Sequence, residues 1–333
     1  MEKRRQMGKL MLSTEIAKDI HGKSVLVAGA AGFIGSRIVE ILDLLGAKVI
    51  AIDALLETTY SAEAKRSRWE EMKSSLSGNV NFFEMDLRNL STLQELPRVE
   101  IVYNLAAMPG LEKSWQDFEL YLSCNVTVTN NLIAYSKLNK VARLVQASTS
   151  SVYGTYATGD ENSLLRPSSP YGVTKLAAEN LLLAHAQNFS IPYCILRYFS
   201  VFGPNQRPDM AFSIFAKQIL ADSDITVFGY GSQSRSNTYV DDVAITTITA
   251  GFNPQFKNQI FNVCGNSELS VSEAIEIIAK ALDKSPKIKF GPERLGDQQK
   301  TRGDNSKLAG IIDVSSFGKI SELLAGCVTG LVK

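Results

Sequence analysis

The stretch KSVLVAGAAGFIGSRIVEILDLLGAKVIAID, residues 23–53, constrains the fold more than any other. SVLVA is an apolar, β-branched run of the kind a strand buried on both faces requires. Three glycines follow, at 29, 32 and 35. FIGSRIVEILDLL then carries apolar residues at helical spacing and stops at Gly46. KVIAID reads as a second buried strand. A strand, a tight turn, a helix and another buried strand make one βαβ unit, with a right-handed crossover.

The alternation continues along the chain. VNFFEMD, IVYNLAA, RLVQAST and YCILRYFSVFG read as later strands. CNVTVTNNLIAYSKLN and YGVTKLAAENLLLAHAQ read as helices between them. The expected fold class is α/β, a doubly wound parallel sheet, with a smaller C-terminal α/β substrate domain. Residues 1–21 read as a leader. Residues 22–198 read as the nucleotide-binding domain, with 236–258 returning to it. Residues 199–235 and 259–333 read as the substrate-binding domain, expected over the carboxyl edge of the sheet, where α/β ligands bind.

The glycines have separate roles in a Rossmann-type turn. Gly29 permits the turn out of the strand, Gly32 admits backbone close to a pyrophosphate, and Gly35 lets the helix sit near the sheet. The N–H groups that open the helix, through Phe33 and Ile34, then face phosphate. Asp53, at the tip of the second strand, suits a ribose diol and would repel a 2′-phosphate, so NAD is expected rather than NADP. Asp86 and Leu87, after the third strand, are placed to meet adenine, although Asp86 equally suits a helix N-cap. NLAA ends the fourth strand, and the small side chains of Ala106 and Ala107 after Leu105 let backbone lie against the cofactor, although packing alone explains the stretch about as well.

The 35 basic and 34 acidic residues nearly cancel, which gives no electrostatic case for nucleic acid or an anionic membrane. Four scattered cysteines and two histidines form no metal-ligand spacing and no disulfide framework, so no metal is expected and a reducing cytoplasm fits. No stretch approaches the length of a membrane span.

SPYGVTK places Tyr171 and Lys175 four residues apart, on one face of the expected helix. An ammonium beside a phenol favours phenolate, which makes a general base usable near neutral pH. ASTSSVYG supplies hydroxyls at the end of the fifth strand, and Thr149 could bond the same substrate oxygen. Either feature alone arises by chance on many helices and loops. Both together, after the glycine turn, point to proton and hydride transfer.

With these motifs in hand, the chain resembles the extended short-chain dehydrogenase/reductase family, in its NAD-dependent sugar-nucleotide epimerase/dehydratase branch. The likeness runs from about Lys23 to Lys307 and rests also on LRYFSVFGP, SRSNTYVDD, IFNVCG and RLGD. The resemblance implies that Tyr171 takes a proton from a sugar hydroxyl and that Lys175 tunes it and binds the nicotinamide ribose. It gives Thr149 the sugar O4 and Tyr198 a place against the cofactor. Homodimers packed through the helices around Asn125–Lys137 and after Tyr171 are common in the family. Packing within one subunit would equally satisfy the apolar LAAENLLL.

Ser150 and Ser151 stand where related dehydratases carry an acid pair and related decarboxylases a Glu. Serines cannot do that acid/base work, which leaves 4-epimerisation. GPNQRPDMA resembles UDP-glucuronate 4-epimerases and makes Arg207 a partner for a uronate carboxylate, helped by Ser150, Ser151 and Ser200. Pinning its own loop is the alternative role for Arg207. Arg235 and Arg294 are implied for the diphosphate, with surface ion pairs as their alternative. Val227, within ITVFG, is implied for the uracil. The chain departs from the pattern at Glu112, where many relatives have Arg, at Ser200, and at Ser236 and Asn237. Thr301 leaves room for a larger sugar substituent. UDP-glucuronate is the expected UDP-sugar. UDP-glucose and UDP-N-acetylglucosamine are the alternatives, and an NAD-binding sensor or scaffold without turnover is the non-enzyme one.

Overall fold

The computed structural model describes residues 14–229, 231, 233–292 and 300–331. Residues 1–13 of the expected leader, and Arg294, lie outside the described residues. A short helix, α1 (Thr14–Ile20), precedes β1 (Ser24–Ala28), α2 (Phe33–Leu44) and β2 (Lys48–Asp53). Next come α3 (Ala62–Ser75), β3 (Val80–Glu84), β4 (Ile101–Asn104), α4 (Phe118–Leu122), α5 (Val128–Asn139) and β5 (Arg143–Thr149). β6 (Tyr156–Ala157), α6 (Pro170–Phe189), β7 (Tyr193–Tyr198) and β8 (Ser200–Phe202) follow. The remaining larger elements are α7 (Ala211–Leu220), β9 (Asp224–Phe228), β10 (Ser234–Tyr239), α8 (Val240–Phe252), β11 (Gln259–Val263), β12 (Glu268–Ser270), α9 (Val271–Ala281), β13 (Lys287–Gly291), β14 (Lys300–Thr301) and α10 (Ile320–Leu331).

The chain divides into two compact units. The first holds the described residues up to Thr149, with Pro170–Arg197 and Ala244–Phe261. The second holds Ser150–Ser169, Tyr198–Val243 and the described residues from Asn262 onward.

A seven-stranded sheet runs β3-β2-β1-β4-β5-β7-β11. β1 pairs in parallel with both β2 and β4, and β2–β3 and β4–β5 are also parallel. The strand order therefore reverses between β1 and β4, the switch point where doubly wound sheets bind ligands at their carboxyl ends. The central strands read as unbroken apolar runs because both faces are covered, and Leu26, Ile50, Val102, Leu132, Leu144 and Leu182 share one core.

The end of α8 returns to this unit and is fastened by two side chains. Tyr103 Oη donates to Ile248 O at 3.0 Å, and Arg143 Nη1 donates to Ala250 O at 2.8 Å and Asn253 O at 2.6 Å. A cation on the last carbonyls of a helix also opposes its dipole favourably.

In the second unit β10 is flanked by β12, β14 and β8, β6 pairs with β14, and β9 pairs in parallel with β13. Its core gathers Phe202, Phe215, Ile225, Ile275 and Leu324. A capping box starts α9: Glu273 N donates to Ser270 Oγ at 3.2 Å and Ser270 N donates to Glu273 Oε2 at 2.8 Å.

The run YCILRYFSVFG is two strands rather than one. Phe199 interrupts it, donating its N–H to Val263 O at 3.1 Å, and beyond it β8 joins β10 in another sheet. Among the described residues no helix is long and apolar enough to cross a membrane.

Candidate active site

The glycine turn is built from two close backbone approaches. Gly29 takes a φ of +79°, and a Cβ there would stand 2.7 Å from Ala106 N. The same residue therefore makes the turn and lets Leu105–Ala107 pass beside β1, with Leu105 N donating to Ala28 O at 2.9 Å. A Cβ on Gly35 would meet Gly29 O at 2.1 Å, so the first turn of α2 rests directly on the loop.

Gly32 is the N-cap of α2 and supplies no side-chain acceptor. The N–H groups of Phe33, Ile34 and Gly35 thus open the helix without an intrahelical partner, an arrangement that suits phosphate oxygens. Phe33 is buried and Ile34 half-buried.

Asp53 is tied into the same loop. Its Oδ2 accepts from Ala31 N at 3.0 Å and its Oδ1 from Leu55 N at 2.9 Å. Burial raises its carboxyl above the ordinary value, against the pull of Lys65, the two N–H groups and Arg68. Each oxygen keeps a further lone pair for a ribose hydroxyl. These residues fit a nicotinamide dinucleotide.

Asp86 does not cap a helix. Asn89 caps the short helix Leu90–Leu93, taking Ser91 N at 3.1 Å, while the Arg88 guanidinium forks onto Asp86 at 2.6–3.0 Å. That pairing holds the Asp86 carboxyl below its ordinary value. Leu87 packs into the core of the first unit, and its carbonyl accepts from Asn131 Nδ2 at 2.9 Å.

Thr149, at the end of β5, is buried. Tyr171 and Lys175 both lie on α6, one turn apart, with Lys175 3% exposed and Tyr171 half-buried. Burial pushes the Lys175 ammonium down to about 8, and Glu179 one turn further on acts in the opposite direction.

Two neutral neighbours hold this end of α6. Tyr121 meets the Tyr171 ring edge-on at 6.2 Å and donates to Pro109 O at 2.6 Å. Asn125, in a π-helical turn over Ser123–Thr127, donates to Thr174 Oγ1 at 2.9 Å and takes Met108 N at 2.7 Å. Single π turns inside helices are frequent at functional sites.

Some supporting residues escaped the sequence reading. Glu179 and Arg197 are each a lone charge within an apolar run, LAAENLLL and CILRYF, and that isolation was the available signal. They form a buried ion pair, Nη2 to Oε2 2.8 Å.

In the second unit, Ser150 and Ser151 are buried and open a 3-10 turn directly after Thr149. Tyr198, at the end of β7, is buried. Ser200 on β8 stands opposite Asn237 on β10, and Arg235 opposite Thr301 and Leu269. Val227 is buried in β9 opposite Phe290.

Arg207 forks onto Asp209, Nε to Oδ1 and Nη2 to Oδ2 both at 3.0 Å, which is a loop-pinning contact. Glu112 is exposed, while Lys113 Nζ donates to Thr58 O at 3.0 Å.

The chain is 37% identical over 291 residues to the uncharacterized UDP-glucose epimerase YtcB of Bacillus subtilis (strain 168), covering 85% of this chain and 90% of that one. It is 35% identical over 288 residues to a UDP-glucuronate 4-epimerase of Thermodesulfobacterium geofontis (strain OPF15), covering 85% and 88%. Among solved structures, a tyrosine-to-phenylalanine variant of UDP-glucuronic acid 4-epimerase from Bacillus cereus superposes with a TM-score of 0.87. That structure is a complex with UDP-4-deoxy-4-fluoro-glucuronic acid and NAD; identity is 35%, over 92% of this chain and 98% of that one. The model of the NAD dependent epimerase/dehydratase family matches residues 25–264, from the first strand of the sheet to the last, and the chain belongs to that family.

Proposed function

We propose that this protein is a cytoplasmic NAD-dependent UDP-sugar 4-epimerase that interconverts UDP-glucuronate and UDP-galacturonate. The observation that carries the reaction type is the buried Lys175 one turn after Tyr171, on a helix hydrogen-bonded to the strand end of Thr149. The glycine turn, Asp53 and the open N-terminus of α2 hold the dinucleotide. NAD held there would supply the hydride acceptor for the sugar C4 and the donor for its return.

Tyr171, as phenolate, takes the proton of the O4 hydroxyl and later gives it back. Lys175 favours the phenolate by its charge. Thr149 bonds the same oxygen and fixes its direction. The hydroxyls of Ser150 and Ser151 do not ionise near neutral pH, so neither serves as the acid or base that would drive elimination from the keto sugar, which turns and is reduced on its other face.

Arg207 supports the uronate. Nε and Nη2 are engaged by Asp209, and Nη1 has no partner among the described residues. Ser200 adds a hydroxyl on β8, Arg235 serves the diphosphate, and Val227 lies in the segment that receives uracil. The fork to Asp209 also favours a second reading, UDP-glucose, because it takes the paired donors a carboxylate would use. Exposed Leu138, Val173 and Phe189 on α5 and α6 support a homodimer packed through these helices.

The test is incubation of the purified protein and NAD with UDP-glucuronate, UDP-glucose and UDP-N-acetylglucosamine in turn, with products separated by chromatography. UDP-galacturonate should form from UDP-glucuronate without added reductant. Conversion of UDP-glucose alone would overturn the uronate reading. Tyr171→Phe should lose conversion and keep NAD binding; full activity in that variant would remove Tyr171 from the mechanism.

A further inference from the structure

The helix of Tyr171 and Lys175 carries a second buried charge that the proposed reaction does not use. Glu179 lies one turn beyond Lys175 and is 1% exposed. Arg197 on β7, 2% exposed, grips it with Nε on Oε1 at 3.1 Å and Nη2 on Oε2 at 2.8 Å. Ser148, the residue before Thr149, donates its hydroxyl to the same Oε1. One carboxylate therefore joins α6, β5 and β7. Buried ion pairs seldom add net stability over apolar replacements, so stability alone is a weak reason for this one.

We infer that Glu179 is a positioning residue for the reaction: it fastens the helix of Tyr171 and Lys175 to the strand end of Thr149, and its charge holds Lys175 as a cation. The catalytic meaning rests on the epimerase reading; the charge coupling itself does not. Residues four apart on a helix are neighbours, and charges in a dry interior act strongly on one another. Burial works against the Lys175 ammonium, and Glu179 is the influence that opposes it.

The other groups around this turn are Tyr171 on the helix itself, the hydroxyl of Ser148 on β5, and Tyr121 and Asn125 from the helical segment alongside. Arg197 directs its charge at Glu179. Without Glu179, Lys175 would release its proton nearer neutral pH, and Tyr171 would lose the cation that favours phenolate.

The test is a pH titration of full-length protein labelled with ζ-15N lysine, in which the Lys175 signal is assigned by its loss in Lys175→Met. Glu179→Gln should lower the Lys175 midpoint by about one unit. Glu179→Gln/Arg197→Met removes both charges together, so no buried cation is left unpaired, and should lower it in the same direction. A midpoint unchanged in these variants overturns the coupling.

Ser148→Ala should lower kcat several-fold with KM unchanged and leave the Lys175 midpoint in place; unchanged kcat overturns the fastening. In turnover, the alkaline limb of kcat in Glu179→Gln should move to lower pH with the midpoint, whereas a merely structural role lowers kcat by one factor at every pH. If the parent protein converts no UDP-sugar, the epimerase reading fails, and the titration still decides the coupling.

Discussion

An ammonium held at 3% exposure costs the fold free energy that its surroundings only partly return. Lys175 sits at about 8 in the folded chain, against an ordinary 10.5. Between those values the unfolded chain binds the extra proton, so stability rises as pH climbs from about 8 to 10.5, and below about 8 the whole cost is present. Lys175→Met keeps the chain length and removes the charge. The cofactor-free variant should melt higher at pH 7, by the equivalent of about 1–3 kcal/mol, and the gain should fade toward pH 10.5. Conversion of UDP-sugar should be lost. Thermal melts of parent and variant at pH 7 and pH 10 check this. A variant that melts lower at both pH values would mean that the Lys175 stem, not its charge, dominates.

At the scale of elements, the loop between β1 and α2 has no slack. A methyl on Gly35 would stand 2.1 Å from Gly29 O, a backbone atom that cannot turn aside. Gly35→Ala should cost about 1–3 kcal/mol as overpacking and weaken NAD binding, because the phosphate-facing N–H groups move with the helix. Gly78→Ala is the control, since a methyl there meets nothing within 4 Å. Denaturant unfolding and calorimetric NAD titration of both variants decide it; equal stability in the two would show that the turn is adaptable.

This loop was readable from sequence because its signals are local: a strand period, a helical period and three glycines between them. What distant partners decide was not readable. The break at Phe199 is set by Val263, 64 positions away along the chain, and by the partner strand β10. The start of the short helix was not readable either: it begins at Leu90 rather than at Arg88, so Asn89 is the cap and Asp86, three positions too early, pairs with Arg88. Tyr171 and Lys175 stood out as a spacing, whereas the contact that ties their helix to β5 runs through Glu179, a carboxylate whose only signal was its apolar company.

For the whole molecule, a formal net charge of +1 conceals costly buried charges in both units, Lys175 in the first and Asp242 in the second among them. Asp242 in the second unit is 2% exposed, and its Oδ2 accepts from Gly318 N at 2.8 Å. Burial pushes its carboxyl up to about 6, with a smaller push from Asp241, against the pull of that N–H. The folded chain therefore holds the proton more tightly than the unfolded one, with its ordinary 3.8. Stability rises as pH falls from about 6 to 3.8, and above about 6 the full cost is present. Asp242→Asn keeps an acceptor for Gly318 N and removes the charge. At pH 7 it should stabilise the protein by about 1–3 kcal/mol, an advantage that disappears below about pH 4. Asp242 and Lys175 belong to different units and share no hydrogen-bond partner among the described residues, so Asp242→Asn and Lys175→Met should add to within about 0.5 kcal/mol. Melts of the two single variants and the double variant at pH 4, 7 and 10 test both trends at once. A double variant no more stable than the better single one would mean that the two units do not melt as one cooperative body, and each buried charge would then report only on its own unit.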